Sequence, residues 1–509
     1  MVYFLEDLIL CMKQKILFWL DADLTQFCIA YYLQKKIDCE LYAVIDITNR
    51  PKEFFKEQNL IKFEKIWFYH DNIDKNKKPD MDFLKKFEVN ENIDLWQLTL
   101  NERIFYRFND YHKFTKDEIL SILSQECLFY EQILDSHDFD YFLTKETALH
   151  HHHLFYEMVR ARKIRTSILN ISPLGNRCFL SQEYMKIDFP EKHQFTLQNK
   201  TFEEIQNFRK KGALSKQHAN YTEKHGSSKI ERVKAAIQFL LISNNSNVDT
   251  HFTYYGRKKL KVLFNEILLS KEKKKRKKFL DKNSQYKINQ KNPFVYFPMH
   301  VEPERSTLLA APFYTNQIEV IRHIAKSIPI DHTLLVKEHP SQELREWRKI
   351  SEYKQIIDIP NVKLIHPTVK SDELMKMSSL IISIGGTSAF EAVFYRKPSI
   401  VFTDVGYEQL PSVIRVSNIE DLPKKIKEAL KVQVLVSDLE RYVDLVESNS
   451  FDFDIIGFEL KYHDFFYFGA HLADVDISIT KMKEFLEINK NELEKVIFQY
   501  IKKIKQFEN

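Results

Sequence analysis

Cysteine is scarce in this chain. Its 509 residues hold five, scattered with no close pair. That argues against a disulfide frame or a cysteine zinc site and predicts a reducing, cytoplasmic setting. Charge of one sign is scarce too. Against 76 Lys and Arg stand 71 Asp and Glu, a net charge of +5, so no nucleic-acid partner is expected. Long apolar runs are missing. Met1 to Leu20 is apolar in part, but Glu6, Asp7, Lys13 and Lys15 interrupt it, and neither a signal peptide nor a membrane span is expected. Glycine numbers only nine, which reads as base composition and carries no functional meaning. No internal repeat of short period is present.

What is there fits a multidomain α/β protein. The length allows two or three domains with real cores. Residues 1–199 alternate strand and helix signals. Strands are expected at Ile16–Leu20, Leu41–Ile45, Ile66–Tyr69, Phe139–Leu143 and Thr166–Ile171. Helices are expected at about Leu24–Gln34, after the capping box Thr115-Lys116-Asp117-Glu118, and at about Thr147–Arg162. This rhythm predicts a mostly parallel sheet. Residues 200–292 are polar and helix-prone, a helical insert or linker. The run Lys271 to Lys278 within it reads as a solvated helix face. Its functional alternative is peripheral docking on anionic lipid at the inner face of the cell membrane. Residues 293–431 resume the βα rhythm, and 432–509 form a helical extension expected to pack back on the domains.

Two strand ends point at chemistry. Leu380 to Ile384 is a short apolar run followed by Gly385-Gly386-Thr387-Ser388, and a helical pattern continues through Phe394. A glycine pair permits close backbone approach. Hydroxyls at a helix start suit a phosphate, though a plain N-cap needs the same residues. Glu391 falls one turn into the helix, within reach of a ribose. Thr333 to Val336 reads as another buried strand, with Lys337-Glu338-His339-Pro340 at its carboxyl end. There Lys337 can attract an anion and His339 can donate to a phosphate oxygen or protonate a leaving group, with Pro340 fixing the turn. A second His-Pro, His366-Pro367, is read as a turn that could approach a nucleotide base.

At these residues the chain resembles a known family. Pro293 to Ala429 is similar to the second domain of GT-B glycosyltransferases of the capsule polysaccharide biosynthesis group, which includes Kdo transferases and is related to bacterial sialyltransferases. The matching pieces are Phe297 to Thr307, Lys337 to Pro340, Gly386 to Ala392, and Lys397-Pro398. The Thr-Ser pair departs mildly from the Ser-Ser or Ser-Thr of sialyltransferases. The resemblance implies a GT-B fold: two Rossmann-like parallel-sheet domains facing a cleft, with donor on the second and acceptor on the first. It implies that His339, Thr387 and Ser388 hold the nucleotide phosphate. It favours a CMP-linked ulosonic sugar as donor, a glycan or glycolipid acceptor, inverting transfer, and no cofactor or metal.

The acceptor's proton needs a base from the first domain. Asp21, Asp23 and Glu146 follow strand ends and are the candidates, although each type is common as a cap or loop residue. The histidines His150 to His153 have poor spacing for a metal, because consecutive helix positions point around the cylinder. His150 is read as touching the acceptor. Arg177 is read as meeting an acidic acceptor or donor carboxylate, and Arg305 as offsetting donor charge. Two other functions stay open: a polyol-phosphate transferase using a CDP-alcohol, as in teichoic-acid polymerases, and a non-catalytic GT-B-like scaffold.

Overall fold

The computed structural model describes residues 13–210, 237, 239–241, 246–288, 292–343, 345, 347–469 and 472–508. The start of Met1–Leu20 and much of the expected insert, including residues 211–236, lie outside them.

Apolar runs make the strands, and their order makes two sheets. The first holds β1 (Gln14–Leu20), β2 (Cys39–Ile45), β3 (Phe63–Phe68), β4 (Tyr141–Thr144), β5 (Arg165–Ile171) and β6 (Arg177–Ser181). The second holds β7 (Phe294–Pro298), β8 (Thr333–Lys337), β9 (Val362–Ile365), β10 (Leu380–Ser383), β11 (Ser399–Val401) and β12 (Val413–Arg415). β13 (Phe451–Asp452) returns to the first sheet. The orders are β13-β6-β5-β4-β1-β2-β3 and β12-β11-β10-β7-β8-β9. Pairing in the second sheet is parallel throughout. In the first, β6 is antiparallel to both β5 and β13. Each sheet therefore reverses its winding once, between β1 and β4 and between β7 and β10. Such switch points are where ligands sit, at the carboxyl ends of the strands.

The carboxyl ends of the two sheets face each other. Arg305, after β7, reaches Glu146, after β4, at 3.6 Å. Arg107 of the first domain meets Glu302 of the second at 3.3 Å. This is the two-sheet GT-B arrangement.

β6 was not among the expected strands. Arg177 lies in β6, and its guanidinium donates to Ser450 Oγ at 2.9 Å, the Ser450 carbonyl at 2.7 Å and Asp452 at 2.7 Å. It fastens the returning chain to the first sheet. That commitment corrects its reading as a ligand arginine. Beyond β13 the helices Ile455–Phe466, Ile479–Ile488 and Lys490–Glu508 cover one face of the first sheet, sharing a core with β1 and β2.

The basic run belongs to the helix Lys259–Asn283. Arg276 donates to the Trp347 carbonyl at 3.0 Å, Lys277 pairs with Glu343 at 3.2 Å, and Leu280 is buried, so the end of the helix is fixed to the second domain. No described helix is long and apolar enough to cross a membrane.

Candidate functional site

The second switch point is built by three loops. The loop after β7 carries His300 to Arg305, that after β8 carries Glu338 to Pro340, and that after β10 carries Ile384 to Thr387. A buried ion network locks the first two together. Arg348 donates to Glu338 at 2.8 Å and pairs with Glu302 at 2.6 Å. Tyr353 donates to Glu338 at 2.9 Å, and Gln317 and Gln342 bond Glu302. Such a network is stable only when every charge is paired, and here both carboxylates share one guanidinium. Glu302 is therefore a buried structural carboxylate.

Alternation along β8 then places the neighbours. Glu338 faces inward, and its carboxylate accepts the His339 backbone N–H at 2.8 Å. His339 is exposed, and its Nδ1 accepts the Ser341 backbone N–H at 3.1 Å. The neutral ring then carries its proton on Nε2, a donor directed away from the chain. Its pKa is lowered to about 4 by desolvation and by the Lys337 and Arg348 charges, so neutrality holds at pH 7. Pro340 opens a short 3-10 turn that lets Ser341 donate. Lys337 is buried, with its amine donating to Ser371 Oγ at 2.8 Å. It forms no ion pair among the described residues, and burial lowers its pKa to about 8, Asp372 opposing weakly.

The glycine pair works differently from expectation. Neither glycine has positive φ. A Cβ on Gly385 would stand 2.3 Å from Thr403 Cγ2, and one on Gly386 would stand 2.8 Å from His300 Cε1. Both therefore admit neighbouring side chains. His300 packs there with Nε2 at 3.2 Å from Ser383 Oγ, and burial lowers its pKa to about 4, His339 and Arg348 adding to this. Thr387 donates its hydroxyl to Glu391 at 3.1 Å, which occupies both groups with each other. Ser388 opens the six-residue helix Ser388–Val393, and its hydroxyl has no partner among the described residues. His366 is drawn elsewhere. It stacks on Tyr286 at 4.1 Å and meets Asp281 at 3.2 Å, so it serves the insert and not a nucleotide base.

Between the domains lies a charged cluster. Arg305 is nearly buried, with Cζ 3.9 Å from the centre of the Tyr184 ring. Its Nε and Nη1 are buried without hydrogen-bond partners. Its ion-pair contact is Glu146, whose pKa is raised by desolvation, with Arg305 and Tyr184 opposing. Glu304 is likewise raised, by desolvation first, and Glu146 adds to this.

The first switch point holds a cavity of about 380 Å³ lined by Asp21, Asp23, Asp46, His70, Lys145 and His151, among others. Lys145 bridges Asp21 at 2.9 Å and Asp23 at 3.2 Å. Burial raises the Asp21 pKa despite this bridge. For Asp23, Lys145 and the bonds from Thr25 outweigh burial and lower it. His150 is absent from the cavity wall. It is fully buried, with Nδ1 3.2 Å from Glu102 and Nε2 3.1 Å from Glu126. It cannot touch an acceptor, which corrects its sequence reading. Sequence reasoning missed Lys145, Asp46 and His70, which each follow a strand of the same sheet edge, and Arg348, which carries no motif.

The family model for capsule polysaccharide biosynthesis proteins matches residues 184–410, fewer than half of the chain. The match spans all three loops of the second switch point, and this is the group that the strand-end motifs resemble. No curated protein matches the chain. Solved structures similar to it include KpsC, beta Kdo 2,7 transferase, from Thermosulfurimonas dismutans, with 9% identity over 66% of this chain and 89% of that one and a TM-score of 0.30. The beta Kdo 2,4 transferase of the same protein gives 11% identity over 60% and 78%, with a TM-score of 0.28. UDP-GlcNAc 2-epimerase from Methanocaldococcus jannaschii gives 14% identity over 86% and 100%, with a TM-score of 0.25.

Proposed function

We propose that this chain, in which residues 184–410 match the capsule polysaccharide biosynthesis family, is a glycosyltransferase of surface-polysaccharide assembly. It moves an acidic sugar, favoured as a CMP-linked ulosonic acid, from a nucleotide donor to a glycan acceptor. The observation that carries the donor class is Arg305, whose buried Nε and Nη1 lack hydrogen-bond partners beside the domain junction. A sugar carboxylate at either edge of the guanidinium would supply one of them with an acceptor and share a charge that Glu146 meets only at 3.6 Å.

The acceptor hydroxyl attacks the anomeric carbon. Its proton passes to Glu146, and the bond from that carbon to the phosphate oxygen breaks, with the electron pair leaving on the nucleotide. Single displacement inverts the anomeric centre. The His339 Nε2–H, the Ser388 hydroxyl and the unpaired Lys337 ammonium are the groups that support holding that charge, an electrostatic role that needs no metal. The cavity lined by Asp21, Asp23 and Lys145 is the proposed acceptor side. Glu146 is favoured over the two aspartates as base, because Lys145 holds both at hydrogen-bonding distance, whereas Arg305 stands 3.6 Å from Glu146, whose pKa desolvation raises.

Donor hydrolysis and transfer across CMP-, UDP- and GDP-sugars and CDP-alcohols test this reading. Release of CMP with transfer of the sugar alone is expected, and Arg305→Ala should abolish use of acidic donors while nucleotide binding persists. Transfer of phosphate together with an alcohol would replace the glycosyl reading with polyol-phosphate transfer. Absence of CMP, UDP and GDP binding at millimolar concentration in calorimetry would leave the scaffold reading.

A further inference from the structure

A second cluster lies in the first domain between the helices Lys116–Ser136 and His150–Ala161, and one of its members, His151, also lines the cavity. One ligand atom from each of Glu126, His150 and His151 lies within 4.8 Å of the other two, and all three residues are buried. The consecutive histidines were expected to diverge. In the first turn of their helix they instead turn their rings together, with centroids 5.2 Å apart at 84°. His152 and His153 take no part: His152 stacks on Trp19 at 4.5 Å, and His153 meets Thr147 Oγ1 at 3.0 Å.

Each of the two histidines is held by a carboxylate on one nitrogen. Glu102 stands 3.2 Å from His150 Nδ1, and Nε2 of that ring faces Glu126 at 3.1 Å. Asp46 stands 2.8 Å from His151 Nε2, and Nδ1 of that ring is buried with no partner. A carboxylate behind an imidazole whose other nitrogen is free is the usual support of a metal ligand, because it fixes the tautomer and raises basicity.

We propose that Glu126, His150 and His151 bind one divalent transition-metal ion of the zinc class. Two imidazoles and a carboxylate suit that ion. Tetrahedral ligands around zinc stand about 3.3 Å apart; His150 Nε2 and Glu126 are already 3.1 Å apart, so binding draws His151 toward that pair. Three protein ligands leave the fourth tetrahedral position to a solvent molecule, and His151 lines the cavity. The ion ties the two helices together and stands apart from the donor loops. The proposal does not depend on which sugar or nucleotide the protein uses.

The test uses the full chain, stripped with chelator and dialysed, then titrated with Zn²⁺ and Co²⁺. Wild type should take up one equivalent, shown by elemental analysis, and Co²⁺ should give tetrahedral ligand-field bands. Glu126→Gln should lose the bands, and Glu102→Gln should weaken binding about 10-fold. Less than one equivalent in folded wild type overturns the proposal. So do Co²⁺ bands unchanged in Glu126→Gln, which would put the ion elsewhere. If Glu126→Gln does not fold, X-ray absorption of the wild-type Zn²⁺ protein decides. Two imidazole ligands support the site, and fewer overturn it.

Discussion

At the residue scale the proposed base and the proposed donor contacts are separable. Glu146→Gln should lower turnover about 100- to 10,000-fold, the usual worth of a positioned base, with nucleotide affinity unchanged in calorimetry. The pH profile gives an independent reading. Glu146 is raised above its ordinary value by desolvation, so the acid limb of kcat/KM should lie above about pH 4.3. Asp23 is lowered, so a limb below the ordinary aspartate value would instead assign the base to Asp23. Gly386→Ala probes the other side of the cleft. Its Cβ would meet His300 Cε1 at 2.8 Å, and the ring must move. Nucleotide affinity should fall with little change in melting temperature; an unchanged dissociation constant would sink the role given to this loop. His339, Ser388 and Gly386 were legible because each follows a short buried apolar strand and belongs to a motif. Arg348 and Lys145 were not. Their meaning comes from carboxylates that folding brings to them, Glu302 from 46 positions away in sequence and Asp21 from 124, and no local pattern records that.

At the element scale, loops and caps carry the argument. Arg348 is the guanidinium that joins Glu338 to Glu302, Arg107 reaching Glu302 from the other domain, and Arg348 and both carboxylates are buried. Arg348→Leu should therefore cost about 3–5 kcal/mol, the range for breaking a buried pair. Arg348→Lys should rescue little, since an ammonium cannot serve both carboxylates in a fork. Urea unfolding of both variants checks this; a loss below about 1 kcal/mol would mean that the network is not closed as described. The helix Lys116–Ser136 opens with a capping box in which Thr115 and Glu118 satisfy each other's backbone N–H groups. Thr115→Ala should cost about 1 kcal/mol. Burial pushes the Glu118 pKa up, but the bonds from Thr115 and His112 prevail and lower it. Its contribution is thus present above about pH 4.3 and is lost as pH falls through the lowered folded value. This box was readable because it needs four consecutive residues. β6 was not, because its pairing with β5 and β13 supplies what its mixed sequence RCFLS does not.

At the scale of the whole molecule, the chain leaves the first sheet, builds the second, and returns. The return is not peripheral. Phe458, Tyr462, Phe485, Leu493, Val496 and Tyr500 are each at most 1% exposed, in one core with Ile16, Phe18 and Leu41. Fully burying side chains of this size contributes about 1.5–3 kcal/mol each. Six of them outweigh much of the roughly 5–15 kcal/mol that holds a domain folded. A chain ending at Asn449 should therefore keep the second sheet and lose the first. β10 and β7 pair within residues 294–383, and the helix Val436–Asn449 packs on Phe390 and Val393, so that half retains its own core. Limited proteolysis read by mass spectrometry should cut within residues 14–181 while sparing 294–415, and CMP should still bind, at reduced affinity, to the second sheet alone. Equal protection of both halves would show that the first sheet stands without its returning helices. Loss of both together would show one cooperative unit, with the domain junction at Glu146 and Arg305 as its seam.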